Sequence, residues 1–153
     1  TLEDLPENAE VVISNSVADH GRILSILAKA GVIELSADAS ALDATVEDIT
    51  SNPKNLSFTE INPTLLATAY EQDEGDIVAI NGNYAIQAGL NPTEDAVLLE
   101  QADETNPYVN IVATHADLVE DARIAALVEV LKSDEVKNYI YETYNDGSVI
   151  PAN

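Results

Sequence analysis

Cysteine, methionine and tryptophan are absent from this chain, and phenylalanine occurs once. Without cysteine there is no disulfide framework and no thiolate metal site, and nothing in the cysteine count speaks of redox compartment. Basic residues are scarce. Six Lys plus Arg face 28 Asp plus Glu, for a net charge of −22. The acids are spread along the whole chain instead of gathering in a tail, so they read as a solvated acidic surface. That balance argues against nucleic acid, which needs basic patches, and against docking on anionic lipid by charge. It fits a soluble protein from a salty or acid-favouring setting. No apolar run approaches the length of a membrane span, and the opening TLEDLPEN does not read as a signal peptide.

Catalytic signatures are missing too. No GxSxG, no GxxxxGK[ST] and no GxGxxG after a strand occurs. The two histidines, His20 and His115, lie far apart, and neither has a helix-spaced partner for a metal. His20, beside Asp19 and Arg22, reads either as the mouth of a ligand site or as a surface loop. Carboxylates are so numerous that pairing any two carries no weight. No cofactor, no metal and no enzymatic machinery are expected. There is no internal repeat and no low-complexity segment.

What is present is a chain of 153 residues, 46% hydrophobic, enough for one domain or two small lobes with a real core. The stretch INGNYAIQAGL, residues 80–90, organises it. Asp76 to Ile80 is apolar and β-branched, a buried-strand candidate. Asn81-Gly82-Asn83 is turn chemistry, Tyr84 to Ala88 can wind a short helix, and Gly89 is a natural stop. Asn81 then sits past the carboxyl end of a strand, where open α/β sheets bind ligands; the alternative is that Asn81 and Asn83 only make the turn.

Glu10 to Ile13 is a second buried strand. Gly21 to Ala30 reads as a helix with Ile23, Ile26, Leu27 and Ala30 on its apolar face, Asp19 as N-cap and Gly31 as stop. Arg22 falls in its first turn, where a cation opposes the helix dipole. That suits gripping an anion, or pairing with one of the many nearby acids. Residues 34–44 read as loop, and Thr45 to Ile49 as a short helix with a capping box from Thr45 to Asp48. Leu56 to Ile61 is a strand, and Asn62-Pro63 opens a helix to about Tyr70. EQDEG leads into 76–80 as the central strand. Further strands are expected over 95–99 and 108–114, then helices over 121–132 and 133–144. Alternation of apolar strands and helices predicts an α/β fold with a mostly parallel sheet and helices on both faces. Loops 14–22 and 81–84 then share one sheet edge, a site for a small polar anion or zwitterion.

The segments SNSVADHGRILSILAKAGVIEL (14–35), ATVEDITSNPKNL (44–56), INGNYAIQAGLNPTEDAVLLE (80–100), NPYVNIV (106–112) and SDEVKNYI (133–140) together resemble the NlpA lipoprotein family. These are methionine-binding, substrate-binding proteins of ABC importers. The resemblance implies a three-layer αβα lobe of the type II periplasmic-binding-protein fold, in which two lobes clamp a ligand. It implies an amino-acid ligand such as methionine, a related amino acid or a small peptide, an ABC transporter permease as partner, and no enzymatic activity. It also implies an extracytoplasmic place, with the full-length form tethered to the membrane as a lipoprotein.

Residues 1–114 resemble the second ligand-binding lobe with its return strand, and 115–153 the C-terminal helices that pack on a first lobe. That first lobe has no counterpart here, so self-association or a separate first lobe is expected. Arg22 matches the family's carboxylate-holding arginine. Asn81 matches the asparagine that holds the amino-acid head group, and Asn83 keeps the family's NYA. Asp19 stands where the usual NDPTNxGR loop has a ligand-binding asparagine; here the loop reads NSVADHGR. Two other readings remain: a ligand-free acidic interaction module, which Arg22 tied to a neighbouring carboxylate would favour, and a fragment of a biosynthetic enzyme with a type II lobe, which a converging nucleophile would favour.

Overall fold

The computed structural model describes residues 2–100, 106, 108–145, 147 and 149–151. In chain order the elements are β1 (Glu10–Ser14), α1 (Val17–Lys29), β2 (Glu34–Leu35), β3 (Ile49–Ser51), β4 (Ser57–Ile61), α2 (Leu66–Glu71), β5 (Ile77–Val78), α3 (Gly82–Gln87), α4 (Pro92–Asp95), α5 (Ala122–Leu131) and α6 (Asp134–Thr143). They fall into two compact units, Thr1–Glu100 and Gln101–Asn153.

The first unit is built on a parallel sheet in the order β4-β1-β5. β1 pairs in parallel with β4, Val11 opposite Phe58, and with β5, Val11 opposite Ile77. Side chains alternate across a strand, and β1 uses both faces. Val11 and Ile13 enter one cluster with Leu24 and Leu27 of α1, Ile33 and Leu56. Val12 enters the other, with Leu66 and Ala69 of α2. The expected α/β architecture, a parallel sheet between helical layers, is therefore present. A run as apolar as Val11-Val12-Ile13 belongs in a strand covered on both sides.

Several elements differ from expectation. The middle strand is β1, not 76–80, where only Ile77 and Val78 pair. α1 begins at Val17 instead of Gly21, and its N-cap is Ser16, not Asp19. The amide of Asp19 donates to the Ser16 carbonyl at 2.9 Å, closing a first turn that the polar composition of 15–19 concealed. The buried face of α1 is His20, Gly21, Leu24 and Leu27. Ala30 of the expected stripe is exposed, because the helix turns Leu24 toward β1. β2 and β3 form a two-stranded antiparallel pair within and beside the expected loop.

Residues 95–99 form no strand. Asn91-Pro92 caps α4 instead: the Asn91 side chain accepts from the Thr93 amide at 3.1 Å, and Pro92 occupies the first turn. Residues 108–114 carry no strand either. A strand exists only through a paired neighbouring strand, and no sheet among the described residues includes this segment; Ile111 is 82% exposed.

Other signals read as expected. Thr45 donates its amide to the Asp48 carboxylate at 2.8 Å over the turn Val46–Asp48. Gly89 takes φ +79° just past α3, a left-handed conformation that ends a helix at little cost in glycine. In the second unit, Ser133 caps α6 through the Val136 amide at 3.3 Å, while Asp121, expected as the first residue of its helix, is the cap of α5 and accepts from the Arg123 amide at 2.8 Å. Neither helix contains a buried residue.

Candidate functional site

Parallel strands end on the same side of a sheet, so the segments after β1 and β5 meet at one edge. Ser14, fully buried, ends β1. Its hydroxyl accepts from the Ser16 amide at 3.1 Å, which shapes the entry into α1. Its carbonyl is 2.8 Å from His20 Nε2. A carbonyl only accepts, so Nε2 carries the proton in this contact. His20 is buried, only 6% exposed, with Glu60 Oε2 3.6 Å from the same nitrogen. It thus fits neither a ligand mouth nor a surface loop: it ties the first turns of α1 to the end of β1.

Gly21 is buried beside it. A Cβ there would lie 2.3 Å from the Ala41 carbonyl oxygen, so the loop 41–44 lies directly on the helix backbone. Nothing in the sequence reading singled out this glycine; a glycine inside a helical pattern is the signal that points to such a close approach.

On the same helix, Asp19 lies in the first turn, where its negative charge suits the helix dipole. Asn81 occupies the N-cap position of α3 at the end of the β5 segment without a side-chain capping bond, and its Nδ2 donates to Asp19 Oδ1 at 3.3 Å. Arg22 lies in the second turn of α1 rather than the first, three residues beyond Asp19 and therefore on the neighbouring part of the helix surface. Its guanidinium meets the carboxylate of Glu100. Nε donates to Oε1 at 3.0 Å and to Oε2 at 2.9 Å, and Nη2 also donates to Oε2. The two side chains are 35% and 24% exposed.

Asn83 is exposed on the first turn of α3 and does not join these bonds. The structure therefore brings Asp19, Asn81 and Arg22 to one edge and leaves Asn83 at its margin. It adds Glu100, which sequence reasoning had not marked as a site residue.

The edge can offer a guanidinium fork to a carboxylate, and a carboxylate with an amide to an ammonium or hydroxyl. Among the described residues no cluster of three His, Cys, Asp or Glu is placed to hold a metal. A cavity of about 240 Å³ lies elsewhere, at the start of β5, lined by Leu2, Leu5, Pro6 and Ile77 with Asp4 and Asp76. It is a mainly apolar hollow at the opposite end of that strand from Asn81, and the polar groups that could grip a small ion lie at the other edge.

The family model described as NlpA lipoprotein matches residues 1–153. The chain is 47% identical to the methionine-binding lipoprotein MetQ of Bacillus subtilis, over 99% of this chain and 54% of that protein. Among solved structures, a nutrient binding protein from Burkholderia cenocepacia bound to methionine is 35% identical. It superposes with a TM-score of 0.78 over 98% of this chain and 61% of its own. An ABC transporter periplasmic substrate-binding protein from Coxiella burnetii is also 35% identical, with a TM-score of 0.80 over 99% of this chain and 61% of its own. The chain thus spans about half the length of the curated relatives it matches.

Proposed function

The chain belongs to the NlpA lipoprotein family, and from that premise we propose that it is part of the substrate-binding component of an ABC importer, with methionine or a related amino acid as ligand. The observation that carries this reading is the arrangement at one sheet edge. Arg22 grips a carboxylate with Nε and Nη2, while Asn81 and Asp19 lie together beside the same helix. In this reading Arg22 holds the ligand α-carboxylate. Asn81 and Asp19 hold its amino end, and Asn83 borders the mouth. Asp19 in place of an amide suits an ammonium, to which a carboxylate is the stronger partner.

Residues 1–114 are then the second ligand-binding lobe, and the helices within 115–153 lie against a first lobe that completes the clamp. The permease is the protein partner. The full-length form works outside the cytoplasm as a membrane-tethered lipoprotein; among the described residues no helix is long and apolar enough to cross a membrane. The task is binding and delivery, not catalysis.

The test compares Arg22→Ala with Arg123→Ala in a protein that has both lobes. A charge-assisted hydrogen bond to a carboxylate contributes roughly 1.5–3 kcal/mol. Calorimetric titration with L-methionine is expected to weaken about ten- to a hundredfold for Arg22→Ala. It should be unchanged for Arg123→Ala, since Arg123 lies exposed on α5 and pairs locally with Asp121. Equal effects remove the assigned role.

A second reading, the ligand-free acidic interaction module, is favoured by the same Arg22–Glu100 pair, because it leaves the guanidinium already neutralised. It predicts no methionine uptake by the two-lobe protein and no consequence of Arg22→Ala for small-molecule binding.

A further inference from the structure

We propose that Glu100 is a further residue of this site, an internal carboxylate that occupies Arg22 until the carboxylate of an incoming ligand exchanges for it. The inference rests on the reading of Arg22 as the carboxylate-holding residue. Glu100 meets Nε and Nη2 with both oxygens, the two-pronged geometry a free α-carboxylate would adopt. Both side chains are partly exposed, so the pair is sheltered enough to compete with a ligand and open enough to come apart. Glu100 also comes from residues 96–100, which belong to no helix or strand, so no regular element holds its carboxylate in place.

Charge then decides between addition and exchange. Asp19 already lies on this edge with Asn81. A ligand carboxylate added beside Glu100 and Asp19 would crowd like charges around the guanidinium, whereas replacing Glu100 leaves that charge count unchanged. The released Glu100, together with Asp19, is free to take an ammonium. Such a site prefers a zwitterionic amino acid to a simple acid, because the ligand's own cation compensates the carboxylate it displaces.

The chain contains only two arginines, Arg22 and Arg123, so its arginine Nε spectrum by nuclear magnetic resonance has two side-chain signals to follow. Arg123, paired with Asp121, is the internal reference. Acetate is titrated into the chain and into Glu100→Gln at constant ionic strength. The Arg22 signal of Glu100→Gln is expected to respond at about five- to tenfold lower acetate than that of the unaltered chain, with Arg123 unmoved in both. Glu100→Ala repeats the comparison should the glutamine variant fail to fold.

Equal acetate dependence in both proteins, or no response in either, overturns the proposal. A weaker response in the variant also overturns it, since Glu100 would then be aiming the guanidinium rather than occupying it. Acetate requires no first lobe and no methionine. An intact exchange with no methionine binding in the two-lobe protein would therefore sink the methionine reading alone.

Discussion

At the scale of single residues, the site depends on how tightly α1 is seated at the end of β1. Gly21 is where this seat is narrowest. Its absent side chain leaves room for the Ala41 carbonyl, and any Cβ would drive into backbone rather than into a flexible side chain. Gly21→Ala should gain helix propensity and still lose stability, because the loop 41–44 must move. We expect a net loss of roughly 1–3 kcal/mol, as for overpacking elsewhere, read as a lower urea midpoint; an unchanged midpoint would show that the loop yields freely. His20 works in the same seat from the other side, through its bond to the Ser14 carbonyl. Gly21 and His20 are thus structural residues, and together they fix where α1, the helix that carries Arg22, leaves the end of β1.

At the scale of elements, one tripeptide does the same job twice. Asn-Pro-Thr occurs at 62–64 and at 91–93. In both copies the asparagine Oδ1 accepts from the threonine amide, at 3.0 and 3.1 Å, and from its hydroxyl, at 2.7 and 2.8 Å. The first copy leads into α2, whose Leu66 and Ala69 are core. The second leads into α4, which buries nothing. Asn62→Ala should therefore cost about 1 kcal/mol of global stability, while Asn91→Ala should leave the urea midpoint nearly unchanged. Equal shifts would mean that α4 is as cooperative with the core as α2.

The cap of α5 adds a pH dependence. Hydrogen bonds from the Arg123 side chain and amide hold the Asp121 carboxyl below its ordinary range, and hold Arg123 above its own. For a carboxylate lowered in this way, the stabilisation is present above the unfolded pKa. It is lost as pH falls through the lowered folded value. α5 should keep its cap throughout the neutral and mildly acidic range, checked by a carboxyl resonance titration in which Asp121 has its midpoint below that of an unpaired aspartate. An ordinary midpoint would mean that the exposed pair is open in solution.

At the scale of the whole molecule, a net charge of −22 opposes compaction. Added salt screens exposed charges beyond about 10 Å at 0.1 M, so the melting temperature should rise between low and moderate salt. A flat response would mean that the acids are spaced widely enough not to interact. The second unit sets a different constraint. Leu127, Val130, Leu131 and Tyr139 are each more than 40% exposed, at 46, 58, 46 and 63%, and an apolar surface of this kind is unusual on a soluble monomer. In the proposed reading a first lobe covers it and also walls the ligand site. The isolated chain should then associate in sedimentation and bind free methionine weakly or not at all, since exposed head-group contacts compete with water. A clean monomer that binds methionine tightly would contradict the two-lobe reading.

What the sequence determined by itself was whatever local chemistry decides. The apolar run of β1, the caps at Thr45, Asn62 and Ser133, the stop at Gly89 and the parallel α/β alternation could all be read from adjacent residues, and so could the placing of Arg22 and Asn81 after strand ends. Tertiary structure decided whatever needs a partner distant in sequence. Whether 76–80 is central or 108–114 is a strand depends on which backbone lies alongside, since a strand is made by its neighbour. Gly21 answers to Ala41, and His20 answers to Ser14 after the intervening chain has turned. Above all, no local pattern among so many acids distinguishes Glu100. Its carboxylate reaches Arg22 across 78 residues of sequence, and only the fold selects it from the other acids for that guanidinium.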